Sequence, residues 1–320
     1  MPGPHLTFFV ELASEPFAEL FSKPDVARFL SDGGHALSMG LLDLTAARAD
    51  IVRRLEAAGV PVTAWLLLDV ADGYWLNADN PDQARGRYHE TVAWAAREGL
   101  RLHRIGLDIE FPRADADLLT RDLRRGMQTL LRRRRDAAQV QAAERAYAML
   151  VEDIRAGGRS VESYHFPHLV DERLARSMLL RRTLGLVDVP ADAEVLMLYS
   201  SYLGRRGARA YFPDAQCIAL GVTGGGVNAG KPEELARLLS WERLEDDLLA
   251  AAACCRDVYV FSLEGCVEQN MLARFAAIDW SRARETLSAT ERQRARRWRT
   301  LFRAVLRAER LFDFVYPSRS

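Results

Sequence analysis

Eight short apolar runs alternate with amphipathic segments along this chain, and that alternation limits its fold more than any other feature. The runs fall at 6–12, 36–44, 61–69, 104–112, 160–165, 194–201, 216–222 and 257–264. Segments 44–58, 82–98, 138–156, 171–184 and 232–255 carry apolar residues at helical spacing. A short run with no polar face reads as a strand covered on both sides, and a following amphipathic helix is the crossover that parallel strands need. Eight such units predict an α/β chain folded as a (β/α)8 TIM barrel. A doubly wound open sheet is the rival, but no G-x-G-x-x-G follows the first run.

We assign residues 1–280 to the barrel and 281–320 to a C-terminal helical extension packed on it. Residues 115–156 are too long for one crossover, so a helical insertion is expected after strand four. It contains Arg132-Arg133-Arg134-Arg135, which reads as a solvated helix face. In the extension, Trp298, Leu301, Phe302, Val305, Leu306, Leu311 and Phe312 suit an apolar stripe facing the barrel.

Lys+Arg and Asp+Glu both number 44, so charge offers no argument for a nucleic-acid partner or an anionic membrane. No apolar run approaches the roughly 18 residues of a membrane span. Cys217, Cys254, Cys255 and Cys266 show no C-x-x-C spacing and read as reduced thiols, which suits a cytoplasmic protein.

A barrel delivers the last residues of every strand to one rim. Alternation along the fourth run puts Gly106, Asp108 and Glu110 on one face and Ile105, Leu107, Ile109 and Phe111 on the other. Two acids therefore stack where Pro112 stops the strand. The other ends add Glu11, Asp43, then Tyr74, Trp75 and Asn77 after strand three, Tyr164 and His165 with His168 beyond, Tyr199 and Tyr202, Gly224-Gly225-Gly226, and Glu264. Carboxylates beside aromatics suit a sugar: rings stack on its apolar faces while acids bond hydroxyls and move protons. Glu110 is the expected proton donor and Asp108 its orienting neighbour. Glu264 is the candidate second carboxylate, and Tyr199 supports the transition state. Glu11, Asp43, Tyr74, Trp75, Asn77, Tyr164, His165 and Tyr202 are the expected substrate contacts.

Gly106–Pro112 resembles a shortened form of the fourth-strand signature of the family 18 glycoside hydrolases, the chitinase-like TIM barrels. Their pattern is D-x-x-D-x-D-x-E followed by an aromatic and proline: Asp108, Glu110, Phe111 and Pro112 match, and Gly106 replaces an earlier acid. Met197-Leu198-Tyr199-Ser200 is similar to that family's M-x-Y-D, with Ser200 in place of the acid. The resemblance implies a retaining reaction in which the substrate's acetamido group attacks, with Glu110 as acid and Asp108 and Tyr199 holding that group. Since Ser200 departs from the pattern, the expected activity is cleavage of a glycosidic bond in a different carbohydrate.

No cofactor is expected for that activity. An alternative is a metal-dependent sugar or sugar-phosphate isomerase of the xylose isomerase-like kind. There Glu110, His165 or His168, and Glu264 hold a divalent cation and Gly224-Gly225-Gly226 cradles a phosphate. A barrel that binds a glycan or partner protein without catalysis is the third reading. The G-x-x-x-x-G-K match at 225–231 is followed by Pro232, so it lacks the hydroxyl a nucleotide loop places on magnesium.

Overall fold

The computed structural model describes residues 3–226, 237–282 and 286–309. Eight parallel strands close in chain order: β1 (His5–Val10), β2 (Ala36–Leu41), β3 (Val62–Leu66), β4 (Arg104–Ile109), β5 (Ser160–His165), β6 (Ala193–Met197), β7 (Cys217–Gly221) and β8 (Asp257–Phe261). The expected (β/α)8 barrel is the observed fold. Leu6, Phe8, Val10, Leu37, Met39, Leu41, Ile105, Leu107 and Ile109 belong to the large core shared with the surrounding helices. The alternate residues form a second, largely aromatic core inside the barrel: Phe9, Trp65, Leu67, Tyr164, Met197 and Tyr259. Covering both faces explains why the strands read as unbroken apolar runs.

Several strands end before their runs do. Run 61–69 yields a strand only to Leu66, yet Leu67 and Leu68 stay buried. Apolar residues persist beyond the ladder because they pack into the cores, Leu67 inside the barrel and Leu68 against the helices.

Around the barrel lie α1 (Ser14–Ser22), α2 (Pro24–Asp32), α3 (Ala46–Ala57) and α4 (Pro81–Glu98). The insertion follows as α5 (Arg113–Arg121), α6 (Leu123–Arg132) and α7 (Ala137–Ala156). Asp122 and Asp136 cap α6 and α7 by accepting the N–H groups of Arg125 and Ala138. Then come α8 (His168–Ala175), α9 (Leu179–Leu184), α10 (Ser200–Arg209), α11 (Trp241–Ala252), α12 (Leu263–Glu268), α13 (Leu272–Phe275) and α14 (Ala289–Arg307). Among the described residues no helix is long and apolar enough to cross a membrane.

Two expectations are corrected. The arginine run is a solvated face only in part: Arg132 and Arg133 are exposed, but Arg134 is buried and Arg135 pairs with Asp79. The tail stripe also divides, because Leu306 is buried and Phe302 partly so, whereas Trp298, Leu301 and Val305 are exposed. Leu311 and Phe312 lie outside the described residues. What fastens α14 is polar. The Arg299 guanidinium donates to both oxygens of fully buried Asp171 at 3.1 Å, to Asp214 at 2.5 Å and to the Ala210 carbonyl at 3.0 Å. Tyr211 Oη adds a bond to Asp171 at 2.8 Å. Removing Arg299 leaves buried Asp171 with the Tyr211 bond and a longer 3.6 Å pair to Arg303, and breaking a buried ion pair typically costs about 3–5 kcal/mol. Arg299→Ala is therefore expected to lower unfolding free energy by about 3 kcal/mol in urea titration, and a loss below about 1 kcal/mol would show that the pair does not hold the tail.

Candidate active site

The mouth of the barrel holds a cavity of about 590 Å³, lined by Glu11, Asp108, Glu110 and a wall of aromatic rings. Its floor is prepared one layer deeper. Glu162 on β5, buried inside the barrel, accepts Arg104 at 2.6 Å, Tyr259 Oη at 2.8 Å and Tyr164 Oη at 3.1 Å. Tyr164 also bonds Ser38 Oγ at 2.7 Å. These bonds fix the Tyr164 ring, which lines the cavity and crosses the inner face of β4 at Gly106. A Cβ added at Gly106 would collide with the Tyr164 hydroxyl and lie 2.9 Å from its ring carbons. The tyrosine thus fills the space that a side chain at position 106 would need.

Above Gly106 stand the two acids that alternation placed together. Asp108 is 2% exposed and its Oδ1 makes no hydrogen bond within the protein. Burial, then the charges of Glu110 and Glu11, push its carboxyl well above the usual range. Glu110, half-buried, is pushed up to about 8 by burial and by Glu11. Tyr199, at the end of the sixth strand's run, is raised well above an ordinary phenol by burial and by Asp108 and Glu110. It remains a neutral O–H donor.

The remaining expected residues separate into two groups. Glu11, Trp75, Tyr164, Tyr199 and Tyr202 line the cavity with Asp108 and Glu110. Tyr74 stands behind Glu11, donating its hydroxyl to Glu11 Oε1 while the Arg113 guanidinium lies 5.7 Å from its ring. Asn77 is a structural residue that pins the loop carrying Trp75: its Nδ2 donates to the Trp75 carbonyl at 3.0 Å and its Oδ1 accepts Asp79 N–H at 3.0 Å. Asp43 is a clamp away from the cavity. Its burial would raise it, but bonds from Arg48 and Ser14 hold it well below the usual carboxylate range.

His165 alternates with Tyr164 and does not line the cavity. Burial, aided by Arg173, lowers it to about 3. His168 packs on Tyr211, Trp298 and Phe302 in the outer layer. The set Glu110, His165 or His168, and Glu264 is therefore not assembled, and among the described residues no three His, Cys, Asp or Glu side chains form a group able to hold a metal ion. Gly225 and Gly226 press against Glu264 and Glu11, with a Cβ at Gly226 falling 2.6 Å from Glu11 Oε2. The nearness of Glu11 at that turn weighs against a phosphate there. Residues 227–236 of the G-x-x-x-x-G-K match lie outside the described residues.

Glu264 sits in the first turn of α12, buried, with Oε1 accepting the Glu11 backbone N–H at 3.2 Å. It supports Glu11 from behind and is absent from the cavity lining. Sequence reasoning missed Phe9, Trp65, Phe166 and Phe261, which complete the aromatic wall, and Ala116 and Leu119, which the insertion contributes. Inward alternation on strands one, three and eight was a usable signal for Phe9, Trp65 and Phe261. Phe111 was expected on the outer face with Ile109, but the ladder ends at Ile109 and Phe111 turns into the cavity, stacked on Phe166 at 5.2 Å.

Fold and site together define a (β/α)8 barrel with an acidic, aromatic-walled pocket at its mouth. No protein-family profile matches the chain, and no curated protein matches it in sequence. Similar solved structures include the spore cortex-lytic enzyme SleL of Bacillus megaterium QM B1551, at 13% identity over 86% of this chain and 74% of that one, with TM-score 0.44. Chitinase ChiW from Paenibacillus sp. str. FPU-7 gives 10% identity over 85% and 32%, with TM-score 0.47. An aldo/keto reductase from Brucella melitensis gives 12% over 91% and 93%, with TM-score 0.42. Likenesses this slight carry no argument about activity.

The raised carboxyls have a consequence for stability. Glu110 and Glu264 are both pushed up to about 8 in the fold, against an ordinary value of 4.5. The folded state thus binds protons more tightly than the unfolded chain across that interval, and stability falls as pH rises from about 4.5 to about 8, levelling above it. Denaturant unfolding at pH 5, 6.5 and 8 is expected to show this decline, with a shallower slope in Glu110→Gln. An unchanged slope in that variant would rule out a raised Glu110.

Proposed function

We propose that this protein cleaves a glycosidic bond with Glu110 as the proton donor. The observation that carries the reading is a glutamic acid held protonated near neutral pH at the edge of an aromatic-walled cavity, pushed up to about 8 by burial and by Glu11. A carboxyl in that state can give a proton to a leaving glycosidic oxygen, which a carboxylate in water at pH 7 cannot. Trp65 and Trp75 offer flat faces for a sugar ring, and the Tyr199 hydroxyl and Asp108 lie where they can bond its hydroxyls. Asp108, deeper on the same strand, is itself raised by burial and by the charges of Glu110 and Glu11.

Attack by a substrate acetamido group is not part of this reading. Ser200 Oγ donates to Asp247 on α11 at 2.5 Å and takes no part in lining the cavity. The carbohydrate class therefore stays broader than that of the family whose signature β4 resembles.

With aryl and alkyl glycosides as probes, Glu110→Gln is expected to cut kcat by roughly 10²–10⁴-fold. The loss should be larger for alkyl than for dinitrophenyl leaving groups, since a good leaving group needs little protonation. The unmodified protein should lose kcat/KM above a pH of about 8, where Glu110 gives up its proton. Undiminished turnover in Glu110→Gln, or an equal loss for both leaving groups, would defeat the assignment; saturable glycan binding with no turnover in the unmodified protein would instead indicate a non-catalytic barrel.

A further inference from the structure

We infer that Glu11, at the end of β1, is the second carboxylate of the reaction, the one that faces the anomeric carbon. The inference rests on the glycosidase reading above and replaces Glu264 in that role. Three observations carry it. Glu11 lines the cavity with Asp108 and Glu110, whereas Glu264 does not. Its position is built: Tyr74 Oη donates to Oε1, the Glu11 backbone N–H is tied to Glu264 Oε1 at 3.2 Å, and Gly226 passes with no side chain where a Cβ would lie 2.6 Å from Oε2. Finally, the charge of Glu11 acts on the donor, raising the Glu110 carboxyl beyond the effect of burial.

The two glutamates near β1 therefore differ in kind. Glu264, buried in the first turn of α12 with Oε2 unbonded within the protein, is pushed up to about 8 by burial and carries no charge near neutral pH. Glu11 instead lines the cavity and accepts a phenolic O–H from Tyr74. Tyr74 keeps that proton because burial and Glu11 itself raise its phenol far above the ordinary value. The backbone at Tyr74 is left-handed, φ 69°, an uncommon conformation for a tyrosine that the Gly73-Tyr74 turn adopts in bringing the ring to Glu11. Tyr74 is a positioning residue.

The step balances without any further reactant than water. Glu110 gives its proton to the glycosidic oxygen as the bond from that oxygen to the anomeric carbon breaks, and the positive charge that grows on the sugar faces the Glu11 carboxylate. Water then adds to the anomeric carbon and its proton returns to Glu110. No bond to Glu11 forms or breaks.

The test compares Glu11→Gln, Glu11→Asp, Glu264→Gln and Tyr74→Phe in the full chain, with the 4-nitrophenyl glycoside that the unmodified protein turns over fastest. Glu11→Gln should lower kcat about 100-fold or more with KM within about threefold, as expected when a charge acting chiefly in the transition state is removed. Glu11→Asp should recover part of that loss, and Glu264→Gln should stay within about tenfold of the unmodified protein. Tyr74→Phe should move the acid limb of the kcat/KM profile to higher pH, a change that a merely structural tyrosine would not make. Carboxyl ¹³C titration gives a readout independent of turnover: Glu11→Gln should lower the Glu110 midpoint and Glu264→Gln should not. Retained kcat in Glu11→Gln, or a Glu110 midpoint indifferent to it, overturns the inference while leaving Glu110 as donor. If Glu110→Gln is itself without effect on turnover, the glycosidase reading falls and the role of Glu11 falls with it.

Discussion

Glu162 is the residue on which the architecture of the site depends. A carboxylate inside a closed barrel is costly unless its charge is paired and its lone pairs are used. Arg104, Tyr164 and Tyr259 meet both conditions, drawing β4, β5 and β8 together from within, and Ser38 on β2 extends the network through Tyr164. With its hydroxyl tied down, the Tyr164 ring cannot rotate away, and it becomes a fixed floor over Gly106. Everything the cavity does takes place on that floor.

Upward from it the chemistry reverses. The deep carboxylate is matched by donors, while the shallow ones are set against each other: Asp108, Glu110 and Glu11 share a cavity whose walls are Phe9, Trp65, Trp75, Phe166 and Phe261. Aromatic walls remove water without supplying many donors, so neighbouring acids cannot all ionise. The same folding units thus produce a carboxyl matched by hydrogen-bond donors at one depth and carboxyls raised by burial nearer the mouth. Such separation of environments is how one fold provides acid and base at a single pH. It also costs stability as pH rises, which is the usual sign of groups arranged for function more than for folding.

Asp43, Asn77 and His165 show why a rim inventory over-collects. Each stands at a strand end or in a following loop, as functional residues of barrels do, and each serves packing: Asp43 clamps Arg48, Asn77 ties the loop of Trp75, and His165 does not face the cavity. Position along the chain says which side chains reach the mouth. It does not say which way they turn once the strand ladder has ended. Phe111 is the mirror case, a residue one step beyond β4 that turns inward against the alternation.

Sequence alone determined the number of strands, their parallel order, the pairing of Asp108 with Glu110 on one face and the presence of an insertion after β4. Those features follow from local periodicity, which every strand and helix must satisfy wherever it is placed. The tertiary structure decided the rest: that Tyr164 fills the space beside Gly106, that Glu264 stands behind Glu11 instead of across from Glu110, and that α5 supplies a wall of the cavity. These depend on contacts between residues up to about 250 positions apart in the chain, such as Glu11 with Glu264. They depend equally on burial, which sets the charge of a carboxyl and has no signature in the order of the residues around it.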